Sequence, residues 1–240
     1  MNESELISRV SVYFRRHGLW ATACRVALAA RRTLMSPRLV LLYCELSEKK
    51  TWPPQDFLSP ITIEQKRNRT ELNPEDLQAM TSFWNPRLAN RNINKRFSKG
   101  AVLWLIRSED QLAGYGWTLQ AGTIEPHYFP LGQHDVHLFD FYVFPQHRGQ
   151  RMNPFLVNHI LRSLTTESSG RAFIEAAEWN KSQLSSLRRT PFRSFGRARK
   201  WTAVGHHVVW WTWDETVQSE TNQRVHMSDS REHVRFLISK

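Results

Sequence analysis

A chain of 240 residues with 40% apolar content can bury one sizeable core, and its net charge of +11 with a pI near 10.2 favours anionic partners: nucleotides, phosphorylated sugars, nucleic acid or an anionic membrane face. Cys24 and Cys44 give neither a metal-ligand spacing nor a disulfide framework, which fits a reduced, cytoplasmic setting. No run approaches the ~20 apolar residues that span a bilayer, and the start MNESELISRV lacks the basic, apolar and cleavage regions of a signal peptide.

Most of the basic residues are Arg, whose planar fork matches phosphate. His134, His137, His206 and His207 fall on expected strands with no carboxylate at ligand spacing, so no metal site is expected.

Residues 4–17 and 19–35 read as two helices broken at Gly18, with Arg9, Arg15, Arg16, Arg25, Arg31 and Arg32 on their polar sides. Such a basic amphipathic extension, residues 1–37, either lies on an anionic membrane or a partner protein, or packs on the domain with its charged face in solvent. Val40–Leu46 is an apolar run of strand length, residues 49–60 are a Pro-rich linker or loop, and Ile61–Gln65 alternates like a half-buried strand. Asn73-Pro74 opens a helix running through Phe83, and Asn85-Pro86 restarts a second, more basic one to about Phe97. Ala101–Ile106 and Leu112–Leu119 form a hairpin about a polar turn, and residues 121–135 are an irregular loop.

Val136–Phe144 is aromatic and β-branched, a strand that Pro145 stops; from Met152 to Leu164 the apolar residues follow a helical period. The basic loop between them, Gln146-His147-Arg148-Gly149-Gln150-Arg151, leads into the helix N-terminus, where free N–H groups and the positive dipole end suit a phosphate or pyrophosphate. Arg171–Trp179 reads as a strand, Asn180–Arg189 as a helix, and Phe192–Ala203 with Gly205–Trp213 as an antiparallel pair. Residues 214–240 are a polar tail with a short terminal strand, VRFLI.

The loop resembles the Gln/Arg-x-x-Gly-x-Gly/Ala signature with which the GNAT superfamily of acetyl-CoA-dependent N-acetyltransferases wraps the pyrophosphate of coenzyme A. Gln146 and Gly149 match, whereas Arg151 stands where the family has Gly or Ala. The segment from Asn180 to Phe192 is similar to the second cofactor motif, Asn-x-x-Ser/Ala-x-x-x-Tyr/Leu-x-x-x-Gly-Phe: Asn180, Leu187 and Phe192 fall in register, while Gln183 and Pro191 depart. The order strand, two helices, hairpin, strand-loop-helix also matches, and the likeness covers roughly residues 60–213. It implies an α+β, three-layer α-β-α fold with a mixed, mostly antiparallel sheet, the acyltransferase domain occupying residues 38–213. The wording FDFYVFPQHRGQ and the basic N-terminal helices further look like the GNAT proteins of bacterial exopolysaccharide or capsule synthesis.

The resemblance implies acetyl-CoA or another acyl-CoA as co-substrate and a small primary amine as acceptor. The backbone of Phe141, Tyr142 and Val143 would bind the pantetheine arm, with the Val143 N–H a candidate oxyanion donor. Gln146, His147, Arg148, Gly149, Gln150, Arg151, Met152 and Asn180 would hold the rest of the cofactor. His137 falls where relatives place a Glu base, and an imidazole titrates near neutral pH; a strand His bonded to a neighbour is the plainer alternative. Asp140 is a second catalytic candidate, pointing to the opposite face of an ideal strand unless a bulge intervenes; Glu175 and Glu178 follow. The Tyr that protonates the leaving thiolate in relatives would fall at Leu187 and is absent, with Ser186 beside it.

Two other readings compete with an enzyme. One is a module that binds acyl-CoA or a partner protein with weak catalysis, which Arg151, Gln183, Pro191 and Leu187 favour. The other is a nucleic-acid-binding protein, against which the basic residues are dispersed and the Trp residues fall on expected strands. The expected location is cytoplasmic, with attachment at the inner membrane face and a homodimer left open.

Overall fold

The computed structural model describes residues 37–46, 60–82, 85–120, 131–167, 170–203, 206–213 and 234–238. The predicted N-terminal helices, the Pro-rich linker, residues 121–130 of the irregular loop and most of the polar tail lie outside these described residues.

Among the described residues nine strands form one sheet: β1 (Leu39–Glu45), β2 (Ile61–Lys66), β3 (Val102–Ser108), β4 (Gln111–Gln120), β5 (Val136–Val143), β6 (Arg171–Ala177), β7 (Arg193–Ala203), β8 (His206–Trp213) and β9 (Val234–Ile238). Their spatial order is β2-β3-β4-β5-β6-β1-β7-β8-β9, and β5 with β6 is the parallel pair in an otherwise antiparallel ladder. The helices are α1 (Pro74–Ser82), α2 (Pro86–Ser98), α3 (Met152–Glu167) and α4 (Lys181–Leu187). This is the α+β arrangement expected, with helices on both faces of a mixed sheet. The VRFLI strand within the polar tail extends the sheet as β9, on β8.

Local chemistry accounts for the element ends. Pro74 opens α1 and Pro86 opens α2, each where the missing N–H has no helical partner to lose. The Asn85 side chain accepts from the N–H groups of Arg87 and Leu88, capping α2. Between β3 and β4 the chain turns through Glu109 and Asp110 at φ 51° and 66°, the paired left-handed residues of a type I′ hairpin, whose twist matches that of the strands.

Among the described residues the buried side chains form three clusters on the sheet. Met152, Leu156, Val157, Ile160, Leu161 and Leu164 of α3 pack on Leu138, Ile106, Ala172 and Ile174. On the other face Met80 of α1 and Ile93 of α2 cover Leu103, Leu105, Tyr115 and Trp117. The N-terminal strand β1 sits between β6 and β7, a position its sequence alone does not disclose. There it is buried on both faces, Leu42 and Cys44 toward α3 and Leu41 and Tyr43 against Phe173 and Phe195, which is why its apolar run does not alternate.

Candidate active site

The parallel pair is also where the sheet comes apart. β5 and β6 pair at Val136↔Ala172, His137↔Phe173 and Leu138↔Ile174, and the ladder ends there. Just beyond, Asp140 takes φ 51°, and the β4–β5 register shifts, Trp117 facing Phe139 and Tyr115 facing Tyr142. Asp140 is therefore the extra residue of a β-bulge. Leu138, Phe141 and Val143 reach the α3 core, whereas Phe139, Tyr142 and Phe144 join the α1–α2 core.

The bulge is the case in which Asp140 does not keep the face that ideal alternation gives it. Its carboxylate meets the guanidinium of Arg96 on α2 at 2.5 Å, and that guanidinium lies over the rings of Trp117 and Phe139 at 5.1 and 5.6 Å. His137 stacks on the same Phe139 ring at 5.1 Å, so Asp140 and His137 share the α1–α2 face. His137 itself is buried, and its Nε2 lies 2.9 Å from Glu175 Oε2 on β6. Glu178 stands apart, paired with Arg197 at 3.3 Å and Arg38 at 3.9 Å.

On the α3 side the seam continues into a cleft of about 420 Å³ lined by β5, the following loop, the start of α3 and α4. Of the residues expected to hold a cofactor, Phe141, Tyr142, Val143, His147, Arg148, Gly149, Arg151, Met152 and Asn180 line it, and Gln146 and Gln150 do not. The Gln150 side chain turns back onto the Gln146 carbonyl at 3.4 Å, an exposed contact outside the cleft lining. Gly149 has φ 81° with no atom within 4 Å of where a Cβ would stand, leaving its backbone open to the cleft. Arg151, in the place of the family's small residue, also holds a left-handed backbone, φ 59°, a conformation that disfavours a side chain. The buried Nε2 of His147 has no hydrogen-bond partner. Arg148 bonds the Val143 carbonyl at 3.1 Å and lies over the Tyr142 ring.

The α4 wall departs from the motif in an interpretable way. Asn180 caps the helix by accepting from the Gln183 N–H at 3.1 Å, and its own amide donates to Gln183 Oε1 at 3.2 Å. Gln183 thus completes a capping pair where the motif has a small residue, and its Nε2 reaches the Glu175 carbonyl at 3.4 Å. Leu187 is fully buried in the α3 core, and the neighbouring Ser186 hydroxyl, which accepts from Asn153 at 2.8 Å, lines the cleft instead. Asn153, Ser182, Ser185 and Arg189 are further lining residues that sequence reasoning passed over: Asn153 and Ser182 lie in the first turns of α3 and α4, Ser185 near the end of α4 and Arg189 just past it, at places where the motifs carry no letter. Three guanidinium groups, a glycine loop and the positive end of a helix suit a diphosphate. Among the described residues no group of three or more His, Cys, Asp or Glu could hold a metal ion.

The family model described as acetyltransferase (GNAT) family matches residues 67–189. That is just over half of the 240 residues, and the chain belongs to this family, whose fold binds acetyl-CoA and whose members use acyl-CoA donors and amine acceptors. No curated protein matches the chain. Similar solved structures include a GNAT-family acetyltransferase from Colwellia psychrerythraea, 10% identical over 75% of this chain and 57% of that one, with a TM-score of 0.48. A GCN5-related N-acetyltransferase from Sphaerobacter thermophilus is 11% identical over 79% and 55% of the two chains, with a TM-score of 0.47. A tandem GNAT protein from the clavulanic acid biosynthesis pathway is 13% identical over 79% and 58%, with a TM-score of 0.48. The chain spans a little over half the length of these three structures.

Proposed function

We propose that the chain is an acyl-CoA-dependent N-acyltransferase that moves an acetyl or other acyl group to a primary amine. The parted seam carries this reading: a bulged strand leaves its parallel neighbour between a diphosphate-suited loop on one face and a His–Glu pair on the other. The Gly149 backbone and the first turn of α3 would hold the diphosphate, with Arg148, Arg151 and Arg189 adding charge and His147 Nε2 a polar partner. The edge of β5 from Phe141 to Val143 would guide the pantetheine arm, and the Val143 N–H would meet the reacting carbonyl oxygen. His137, oriented by Glu175, would take the ammonium proton directly or through water; a C–N bond then forms as the C–S bond breaks. With Leu187 in the core, the departing thiolate would take its proton from water or the Ser186 hydroxyl.

The acceptor we favour is an amino sugar or its nucleotide-linked form, used in polysaccharide synthesis, with Asp140 near the seam as a hydroxyl or ammonium acceptor. We further propose a cytoplasmic protein whose basic residues 1–37 dock on the inner membrane face or a protein partner, with a homodimer compatible. Calorimetric titration with acetyl-CoA, then a thiol-release assay over amines that include amino sugars, tests the activity. Saturable binding with amine-dependent release supports it. Binding without turnover favours a binding module, and salt-dependent nucleic-acid binding without cofactor binding favours the third reading.

A further inference from the structure

The donor cleft holds a feature that bears on which acyl group fits. Phe141 is the first residue after the bulge to face α3, and it lies between the last residue paired to β6, Leu138, and the phosphate-suited loop. An arm extended along the α3 side of β5 from that loop toward the paired end of the strand runs beside this residue, which lines the cleft. The ring rests on Gly116 of β4, the residue at the register shift. A Cβ built on Gly116 would overlap it, with Cδ1 at 2.6 Å and Cζ at 2.8 Å. Gly116 is buried, so the ring is seated on bare backbone in the floor of the sheet. Phe141 and Val143 both pack against the buried cluster that includes Met152.

We infer that Phe141, seated on Gly116, closes the acyl end of the cleft and restricts the donor to short acyl groups such as acetyl. The inference rests on the proposed acyl-CoA reading and adds a donor limit to it. Bare backbone at Gly116 lets the ring lie low enough to pass an acetyl thioester. A longer chain must displace an aromatic ring from a packed core, and such overpacking costs affinity by about tenfold or more. Removing the ring leaves an apolar hollow above Gly116 in which additional methylenes can lie.

The test is calorimetric titration of the full chain with coenzyme A, acetyl-CoA and hexanoyl-CoA, for wild type, F141A, G116A and the double variant G116A/F141A. In wild type the expected preference for acetyl-CoA over hexanoyl-CoA is about tenfold or more, and F141A should reduce or reverse that ratio. G116A should push the ring up into the cleft and weaken acetyl-CoA binding; in G116A/F141A the overlap is gone and binding should recover. F141L keeps the test usable if F141A does not fold, with a smaller change in the same direction. Equal wild-type affinity for the two acyl-CoAs, or a ratio that F141A and F141L leave unmoved, overturns the inference while coenzyme A binding stands. Failure of wild type to bind coenzyme A itself overturns the acyl-CoA reading, and the inference with it.

Discussion

His137 and Glu175 hold each other diagonally across the parallel seam: His137 is in register with Phe173, and its Nε2 lies 2.9 Å from Glu175 Oε2, two residues further along β6. The contact spans the last paired step, Leu138 with Ile174, so a proton taken up at His137 would stay beside a fixed carboxylate. Replacing His137 by Ala should lower turnover by roughly 10²- to 10⁴-fold with coenzyme A affinity retained, and should reshape the acidic limb of the pH–rate profile. Glu175→Gln should give a smaller loss, because the imidazole keeps a hydrogen-bond partner but loses its counter-charge. Asp140→Asn is the comparison: a loss there larger than in His137→Ala, measured by thiol release, moves the proton-accepting role to Asp140.

Most elements are legible because their boundaries are written in short-range chemistry: Pro74, Pro86 and Pro145 mark ends, and the apolar period of α3 switches cleanly from that of β5. The place of β1 between β6 and β7 is not legible, since a strand buried on both faces carries no mark of its neighbours. At the site, alternation sets Asp140 opposite His137, but a single inserted residue reverses which face Asp140 serves, and nothing in FDFYV signals it. Gln146 carries a motif letter yet does not line the cleft, and Gln150, at an unlettered place, turns its amide onto the Gln146 backbone carbonyl, because a residue type at a loop position does not fix where its side chain turns.

Gly149→Asp should weaken coenzyme A binding by about 10²-fold or more, measured by calorimetry, since a carboxylate enters where helix-start N–H groups and three arginines favour an anion. Gly149→Ala separates charge from backbone. Its methyl meets no atom within 4 Å, but φ 81° strains an L-residue, so it should lower stability by roughly 1–2 kcal/mol and reduce binding far less. Equal affinity for Gly149→Asp and wild type, in a folded protein, removes the cofactor site from this loop.

His159 on α3 packs edge-on against Trp104, centroids 6.0 Å apart, and burial, with Arg162 adding to it, holds its imidazole below the ordinary His value. Because the folded state resists protonation more than the unfolded chain, His159 stabilises fully above the unfolded value of about 6.5, and that contribution is lost as pH falls toward the lowered folded value. Denaturant midpoints for wild type should drop between pH 7.5 and pH 5.5. His159→Phe should drop less over the same interval; an equal drop would assign the pH dependence to other groups.

The Arg107 guanidinium joins three elements, bonding Glu64 of β2 at 2.6 Å and Asp76 of α1 at 2.5 Å while lying on β3. Asp76 is only 4% exposed, and among the described residues Arg107 is the cation paired with it. Arg107→Leu should cost about 3–5 kcal/mol in denaturant unfolding, because the buried carboxylate is left uncompensated. Arg107→Leu combined with Asp76→Leu should recover much of the loss, since an apolar pair replaces an ion pair in the same space. Glu64 behaves differently, being more exposed: hydrogen bonding from Lys66 first, then Arg107, holds its carboxyl below the usual range against the opposing effect of burial. The folded pKa is the lower one, so the stabilisation is present above the unfolded Glu value of about 4.3 and is lost as pH falls through the folded value. Acid unfolding followed below about pH 4.3 should therefore be shallower in Glu64→Gln than in wild type, while the two should show parallel pH dependence between pH 6 and pH 8. Identical acid limbs would mean that Glu64 gains no more from its cations in the folded chain than in the unfolded one.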